Sequence, residues 1–384
     1  MSRPKVIQAT DTDALSSKLS AADAGYFNDD LLHLFLADPV PAPASVPASS
    51  TARKLPLINR GTYVRQSSVS RLVDQFLAAG NAADGTGVSR QIVSLGAGSD
   101  TRPFHIFSGP LASGLVYHEI DFPASALRKA RIIASSDVLS SLIPGDVVYE
   151  LQPARRASPS PIQSSRTQPP PSSLFTCPLA SPSYYIHGLD LNHLSSPSAV
   201  VGLPGYNPAL PTLILSECCL CYLDPAHADS VLSSFLRARQ TSPYCPDVGF
   251  VSYEPFANSD SFGKVMIHNL ATRGISIPAM IAYPSLPTQL ARAAALGFTS
   301  AAAAADMRFI HDTWLDQRDQ ARIDRLEILD EREEFDLLAS HYGIYWALSS
   351  GHTNSNVNMD KDLTNLATSF TGLFSSWNDL PHQI

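Results

Sequence analysis

Two acids and a glycine turn carry the first chemical signal of this chain. The apolar run Ile92-Val93-Ser94-Leu95 breaks into Gly96-Ala97-Gly98, and roughly twenty residues later Val116 to Ile120 runs into Asp121. A β-prone strand, a Gly-x-Gly turn and a second strand ending in an acid form the plan of a nucleotide-binding α/β unit. Gly96 and Gly98 let the backbone turn sharply and approach a ligand, and Asp121 can accept both hydrogen bonds of a ribose diol. A dinucleotide fingerprint carries a third glycine three residues on and lays its pyrophosphate on a helix N-terminus. Here that position is Thr101, between Asp100 and Arg102. A ligand without phosphates fits better, and S-adenosylmethionine, with an amino acid in place of the pyrophosphate, is the candidate.

Further acids fall at further strand ends. Tyr184 to Leu191 contains Asp190, Thr212 to Glu217 ends in an acid, and Val248 to Glu254 ends in another. Ligands of such sheets bind at the carboxyl ends of the strands, which places Gly96, Asp121, Asp190 and Glu217 along one rim. The second-strand acid is expected to take the ribose, the third the adenine amino group, and Glu217 the methionine portion or its ammonium. The histidines are scattered, and none is assigned to catalysis. Cys218, Cys219 and Cys221 have no second Cys/His pair at ligand spacing, so they read as buried structural thiols and no metal site is expected.

These residues need elements to hold them. With 384 residues, 44% of them apolar, the chain can bury a large core as one elaborated domain. Residues 11–37 and 64–79 read as helices covering the site, within a helical cover spanning 11–79 and separated by a Pro/Ala/Ser linker over 38–53. The cofactor-binding core spans 91–254, with a helix from Ala124 to Ala134 and an ambiguous stretch from Leu139 to Leu151. Within it, the Pro/Ser/Thr-rich residues 153–183 read as a disordered insertion. Residues 256–298, with Arg273, Arg292 and Tyr283-Pro284, read as a substrate lid. Residues 299–350 read as C-terminal helices and a closing strand, with an acidic helix from Ile323 to Glu334, the strand at Ile344 to Leu348, and a flexible tail over 351–384. Helical stretches between the strands predict a mostly parallel twisted sheet with helices on both faces. The formal charge of -8 without a Lys/Arg stripe argues against nucleic acid. No apolar run approaches the roughly 20 residues of a membrane span, and no signal-type segment follows Met1, so a cytoplasmic protein is expected.

Several motifs in order resemble the leucine carboxyl methyltransferases of fungal type: Leu95 to Thr101, Glu119 to Pro123, Pro211 to Cys218 with Leu220 to Tyr222, Tyr253-Glu254, Asp260 to Gly263 with Met266, and Arg325 to Glu327 with Leu329 to Glu331. The resemblance runs from about Ile7 to Ala347. It implies the class I S-adenosylmethionine-dependent methyltransferase fold, with an N-terminal helical cover and an inserted substrate lid. It also implies methyl transfer to the C-terminal leucine carboxylate of the protein phosphatase 2A catalytic subunit, with S-adenosylhomocysteine as by-product, by a monomer. Carried over residue by residue, the cofactor site falls on Lys18, Arg65, Gly96, Asp121, Asp190, Leu191 and Glu217, with Lys18 and Arg65 on the methionine carboxylate. Arg65 and Tyr222 would position the reaction, which requires no general base. A small-molecule O-methyltransferase and a catalytically silent phosphatase-binding protein are the alternatives. A related enzyme acting on a tRNA base carries a C-terminal propeller, for which this chain shows no repeat.

Overall fold

The computed structural model describes residues 3–36, 53–79, 88–152, 175–330, 332–351 and 374–384. The strands are β1 (Arg90–Leu95), β2 (Leu115–Asp121), β3 (Val148–Tyr149), β4 (Thr176–Ala180), β5 (Tyr184–Gly188), β6 (Thr212–Glu217), β7 (Val248–Pro255), β8 (Ala301–Asp306) and β9 (Tyr342–Ser349). They form one nine-stranded sheet in the order β3-β4-β5-β2-β1-β6-β7-β9-β8. The centre, β5-β2-β1-β6-β7, is parallel, and an antiparallel pair closes each edge. The order reverses between β1 and β6, so a crevice opens at their carboxyl ends, where such sheets bind ligands.

The helices are α1 (Arg3–Asp23), α2 (Pro56–Ala79), α3 (Arg102–Phe107), α4 (Pro123–Ala134), α5 (Asp137–Ser141), α6 (Pro197–Val201), α7 (Pro225–Ala238), α8 (Ser261–Thr272), α9 (Pro278–Ala282), α10 (Leu286–Leu296), α11 (Met307–Thr313), α12 (Gln317–Asp324) and α13 (Arg332–Ala339). They cover both faces because strand side chains alternate across the sheet. Ile92, Leu213, Leu215, Val251 and Ile344 join one core with α2 and α4, while Val93, Ile214, Phe250 and Tyr345 join the other with α7 and α10.

Several sequence expectations change here. The helix expected over 11–37 ends at Asp23, turns at Gly25 with φ +87°, and resumes as a 3-10 helix over Asp30–Leu36. That break sets the buried Asp29 to accept hydrogen bonds from Thr101 and His105 at 2.5 and 2.8 Å. The second helix begins at Pro56, well before residue 64, because proline suits a first helical turn. Residues 153–174 of the expected insertion and 38–52 of the linker lie outside the described residues, but Thr176–Ala180, also assigned to the insertion, is strand β4. The alanine run 301–305, placed among C-terminal helices, is strand β8. There, pairing with β9 and burial of Ala303 to Ala305 on both faces outweigh alanine's helix preference.

The acidic helix expected from Ile323 to Glu334 is interrupted between α12 and α13. Asp324, Asp330, Glu333 and Glu334 are exposed, as expected of a solvated face, but Glu327 is 7% exposed and accepts from Asn59 at 2.9 Å and from Arg53 at 2.7 Å; with Asp324, which pairs with Arg60 at 2.7 Å, it pins the start of α2.

Of the tail expected over 351–384, residues 352–373 lie outside the described residues, and residues 374–384 pack on the body. Phe374 stacks on Phe76 at 4.9 Å, the Trp377 indole donates to Leu72 O at 3.1 Å, and Gln383 and Ile384 pair with the backbone of Ala304. This strap holds α2 from behind. Trp377→Ala is therefore expected to destabilise the protein by about 3–5 kcal/mol, to be read as a shifted denaturant midpoint. A loss below about 1 kcal/mol would show the strap to be dispensable.

Candidate functional site

At the carboxyl ends of the central strands lies a cavity of about 780 Å³. Lys18 from α1, Arg65 from α2, Gly96 and Gly98 from the turn after β1, Asp121 at the end of β2, Asp190 and Leu191 after β5, and Glu217 and Tyr222 after β6 all line it. These six chain segments are far apart in sequence.

The glycine turn follows from close packing. Gly96 and Gly98 hold φ of +66° and +49°. A Cβ at Gly96 would fall 2.5 Å from the Cys219 sulfur, and one at Gly98 would fall 2.4 Å from Asp11 Oδ1. Asp121 Oδ2 accepts the Gly98 N–H at 2.8 Å and Oδ1 accepts the Phe122 N–H at 2.7 Å. Burial raises the Asp121 pKa and these amides oppose the rise. Each oxygen keeps a further lone pair for a diol. Asp11 accepts from both the N–H and the hydroxyl of Ser99 at 2.8 Å. The loop amides are thus already taken by two carboxylates, so an incoming pyrophosphate would meet negative charge. The donor set suits a nucleoside without phosphates.

At the other end of the cavity the charges form a chain. Lys18 pairs with Asp100 at 2.9 Å, Arg102 bridges Asp100 and Glu217 at 2.8 Å each, and Arg65 pairs with Glu217 at 2.8 Å. Arg65 also lies over the Tyr253 ring, 4.6 Å from its centroid. Three cations against two carboxylates leave one net positive charge beside the cavity, which suits an amino-acid carboxylate. Burial alone would raise the Glu217 carboxyl, but Arg102 and Arg65 lower it to about 2, and Arg102 and Lys18 hold Asp100 well below the usual carboxylate range. The residues present therefore fit S-adenosylmethionine at both ends.

Asp190 caps the 3-10 turn Leu191–His193 by accepting the Asn192 N–H at 3.0 Å, and Leu191 is buried. Burial pushes the Tyr222 phenol upward and keeps it protonated, with Thr10 of α1 in reach of its hydroxyl. Cys218 and Cys219 line the cavity instead of lying wholly in the core, and burial pushes the Cys218 thiol up to about 12. Neither thiol is a thiolate nucleophile at neutral pH. Among the described residues no group of three or more His, Cys, Asp or Glu could hold a metal, and no helix is long and apolar enough to cross a membrane.

The sequence reading missed Asp11, for which spacing gives no signal. It noted Asp100 and Arg102 only as neighbours of Thr101; their reversed charges flanking the turn were the available hint of an ion network. Arg273, at the end of α8, pairs with Asp13 of α1 at 2.5 Å across the cavity mouth. This contact joins the inserted segment to the N-terminal cover.

A family model described as leucine carboxyl methyltransferase matches residues 6–236. Among similar relatives, leucine carboxyl methyltransferase 1 of Yarrowia lipolytica is 43% identical over 354 residues, covering 90% of this chain and 97% of that protein. The protein of the same name from Aspergillus fumigatus is 37% identical, covering 90% of this chain and 83% of its own length. The Schizosaccharomyces pombe protein is 33% identical, covering 91% and 96%.

Arg102 is 5% exposed between the carboxylates of Asp100 and Glu217, which are 9% and 12% exposed. Arg102→Ala should cost about 3–5 kcal/mol, the range for breaking a buried pair and leaving charge uncompensated. The Glu217 carboxyl, lowered in the fold, stabilises above its ordinary value of 4.5 and loses that contribution as pH falls toward 2. Denaturant titrations at neutral and acid pH should therefore show a smaller acid-induced loss in the variant; an unchanged loss would remove Arg102 from this role.

Proposed function

Because the chain belongs to the leucine carboxyl methyltransferase family, we propose that it transfers a methyl group from S-adenosylmethionine to the C-terminal leucine carboxylate of the protein phosphatase 2A catalytic subunit. The observation that carries the reading is one cavity with an acid able to accept a ribose diol at one end and a net-positive ion network at the other. On this reading Asp121 takes the ribose, Asp190 and Leu191 the adenine, and Lys18 and Arg65 the methionine carboxylate. Asp100 and Glu217 keep the two cations in place.

The chemistry asks little of the side chains. A terminal carboxylate has a pKa of about 3.5 and is ionised at neutral pH, so no base needs to remove a proton. The bound cofactor supplies an electrophilic sulfonium methyl. The protein's part is to hold the carboxylate in line and exclude the water that would solvate it. Tyr222, kept protonated, offers a hydrogen-bond donor on the substrate side, and the segment 256–298 with α1 encloses the mouth. We place the protein in the cytoplasm, in keeping with its five free cysteines, and take the monomer from the family resemblance.

Asp121→Ala should weaken S-adenosylmethionine binding by about 1.5–3 kcal/mol, measured by calorimetry on a folded variant. Unchanged affinity would take Asp121 out of the site.

Labelled methyl should pass to intact phosphatase, form a base-labile ester, and be absent from phosphatase lacking its last residue or ending in an amide. Base-stable label, or equal labelling of the blocked protein, would overturn the assignment.

A further inference from the structure

Behind the turn that carries Tyr222 lies a second polar cluster that the reaction does not use. Glu254, 2% exposed at the end of β7, receives the Ser252 hydroxyl at 3.3 Å, and Cys221 turns its backbone N–H and thiol toward the same carboxyl. Cys221 is the residue before Tyr222. On the other side stands Arg292 of α10, 5% exposed, within the inserted segment. Its Nε donates to Asp229 of α7 at 2.6 Å, and its guanidinium lies over the Tyr283 ring at 4.6 Å. Tyr283 also donates to Asp229, at 3.0 Å.

Four buried atoms in this cluster have no hydrogen-bond partner among the described residues: Glu254 Oε2, Arg292 Nη2, Gln289 Nε2 and the Tyr345 hydroxyl. Buried polar atoms are rarely left unpaired. The ion pair of Arg292 is with Asp229, and its remaining guanidinium nitrogen and the Glu254 oxygen are complementary through one buried water.

We propose that Glu254 is a positioning residue for methyl transfer: through Arg292 it ties the inserted segment to the turn that presents Tyr222 to the cavity. The inference rests on the methyltransferase reading and adds to it a route from the lid to the substrate side of the site.

The charge of Glu254 sets the strength of this tie. Burial raises its carboxyl to about 7, with Arg292 opposing the rise. It is an anion that binds Arg292 above that pH and a neutral acid below it. The facing groups are Arg292 and Gln289 from α10, Tyr345 from β9, and Cys218, Cys219 and Cys221 after β6, with Asp229 of α7 behind Arg292. Burial pushes the three thiols and the Tyr345 phenol up, so they stay neutral near pH 7 and Glu254 is the group facing Arg292 whose charge changes there.

The test compares wild type, Glu254→Gln and Arg292→Gln between about pH 6 and 8.5, using intact phosphatase as substrate. In the wild type, KM for phosphatase should fall about fivefold as pH rises through this range, the low end of coupling between linked sites. In both variants it should stay level, while S-adenosylmethionine affinity, measured by calorimetry, stays within about twofold of wild type. A variant that keeps the wild-type pH dependence, or whose cofactor affinity falls as far as its KM rises, overturns the proposal. Amide exchange at Tyr222, corrected for intrinsic rates and measured without substrate, separates this inference from the assigned reaction. Protection should grow through pH 7 in the wild type alone, even if phosphatase accepts no methyl group. Level protection in the wild type overturns the tie by itself.

Discussion

The chain of charges Lys18, Asp100, Arg102, Glu217 and Arg65 is the constraint on which the site depends. Its members come from α1, the turn after β1, α3, the end of β6 and α2. Charges this deeply buried are tolerated only when each has a partner. Each carboxylate here lies between two cations, so moving any of these elements would expose an unpaired charge. The network therefore holds the helical cover on the sheet and sets the charge that a ligand meets.

The opposite end of the cavity follows a related logic. A Gly-x-Gly turn ordinarily offers amides to a phosphate. Here Asp121 and Asp11 occupy the Gly98 and Ser99 amides, and Asp11 arrives from a helix far away in sequence. On the proposed reading one carboxylate serves the diol, and the other closes the phosphate option. Specificity for a phosphate-free nucleoside thus comes from groups already paired in the protein.

Around this site the fold is braced from outside. The acids of the 324–327 turn hold the start of α2, and the strap ending the chain packs under its other end, so Arg65 projects from a helix clamped at both ends. The inserted segment is seated differently: Phe256, Leu286, Ala293 and Phe298 enter the second core and Asn258 donates to Ser340 O at 2.9 Å, while Arg273 joins it to α1 at the mouth and Arg292 lies behind the Tyr222 turn.

Local pattern in the sequence determined the parallel centre of the sheet, the strand-end positions of Asp121 and Glu217, and the Gly96 and Gly98 turn, because buried strands and tight turns leave signals within a few residues. It did not determine strand β8, where alanines favour a helix until β9 supplies pairing. Nor did it determine β4, which was hidden beside a Pro/Ser-rich stretch, or the strap, whose Phe374 and Trp377 follow a polar segment. Lys18 and Arg65 were legible only through resemblance, since a lone cation on a helix looks like surface charge. Asp11 and Arg102 gain their meaning from partners 88 and 115 residues away. Pairing across such separations is an outcome of packing, and only the tertiary structure decided it.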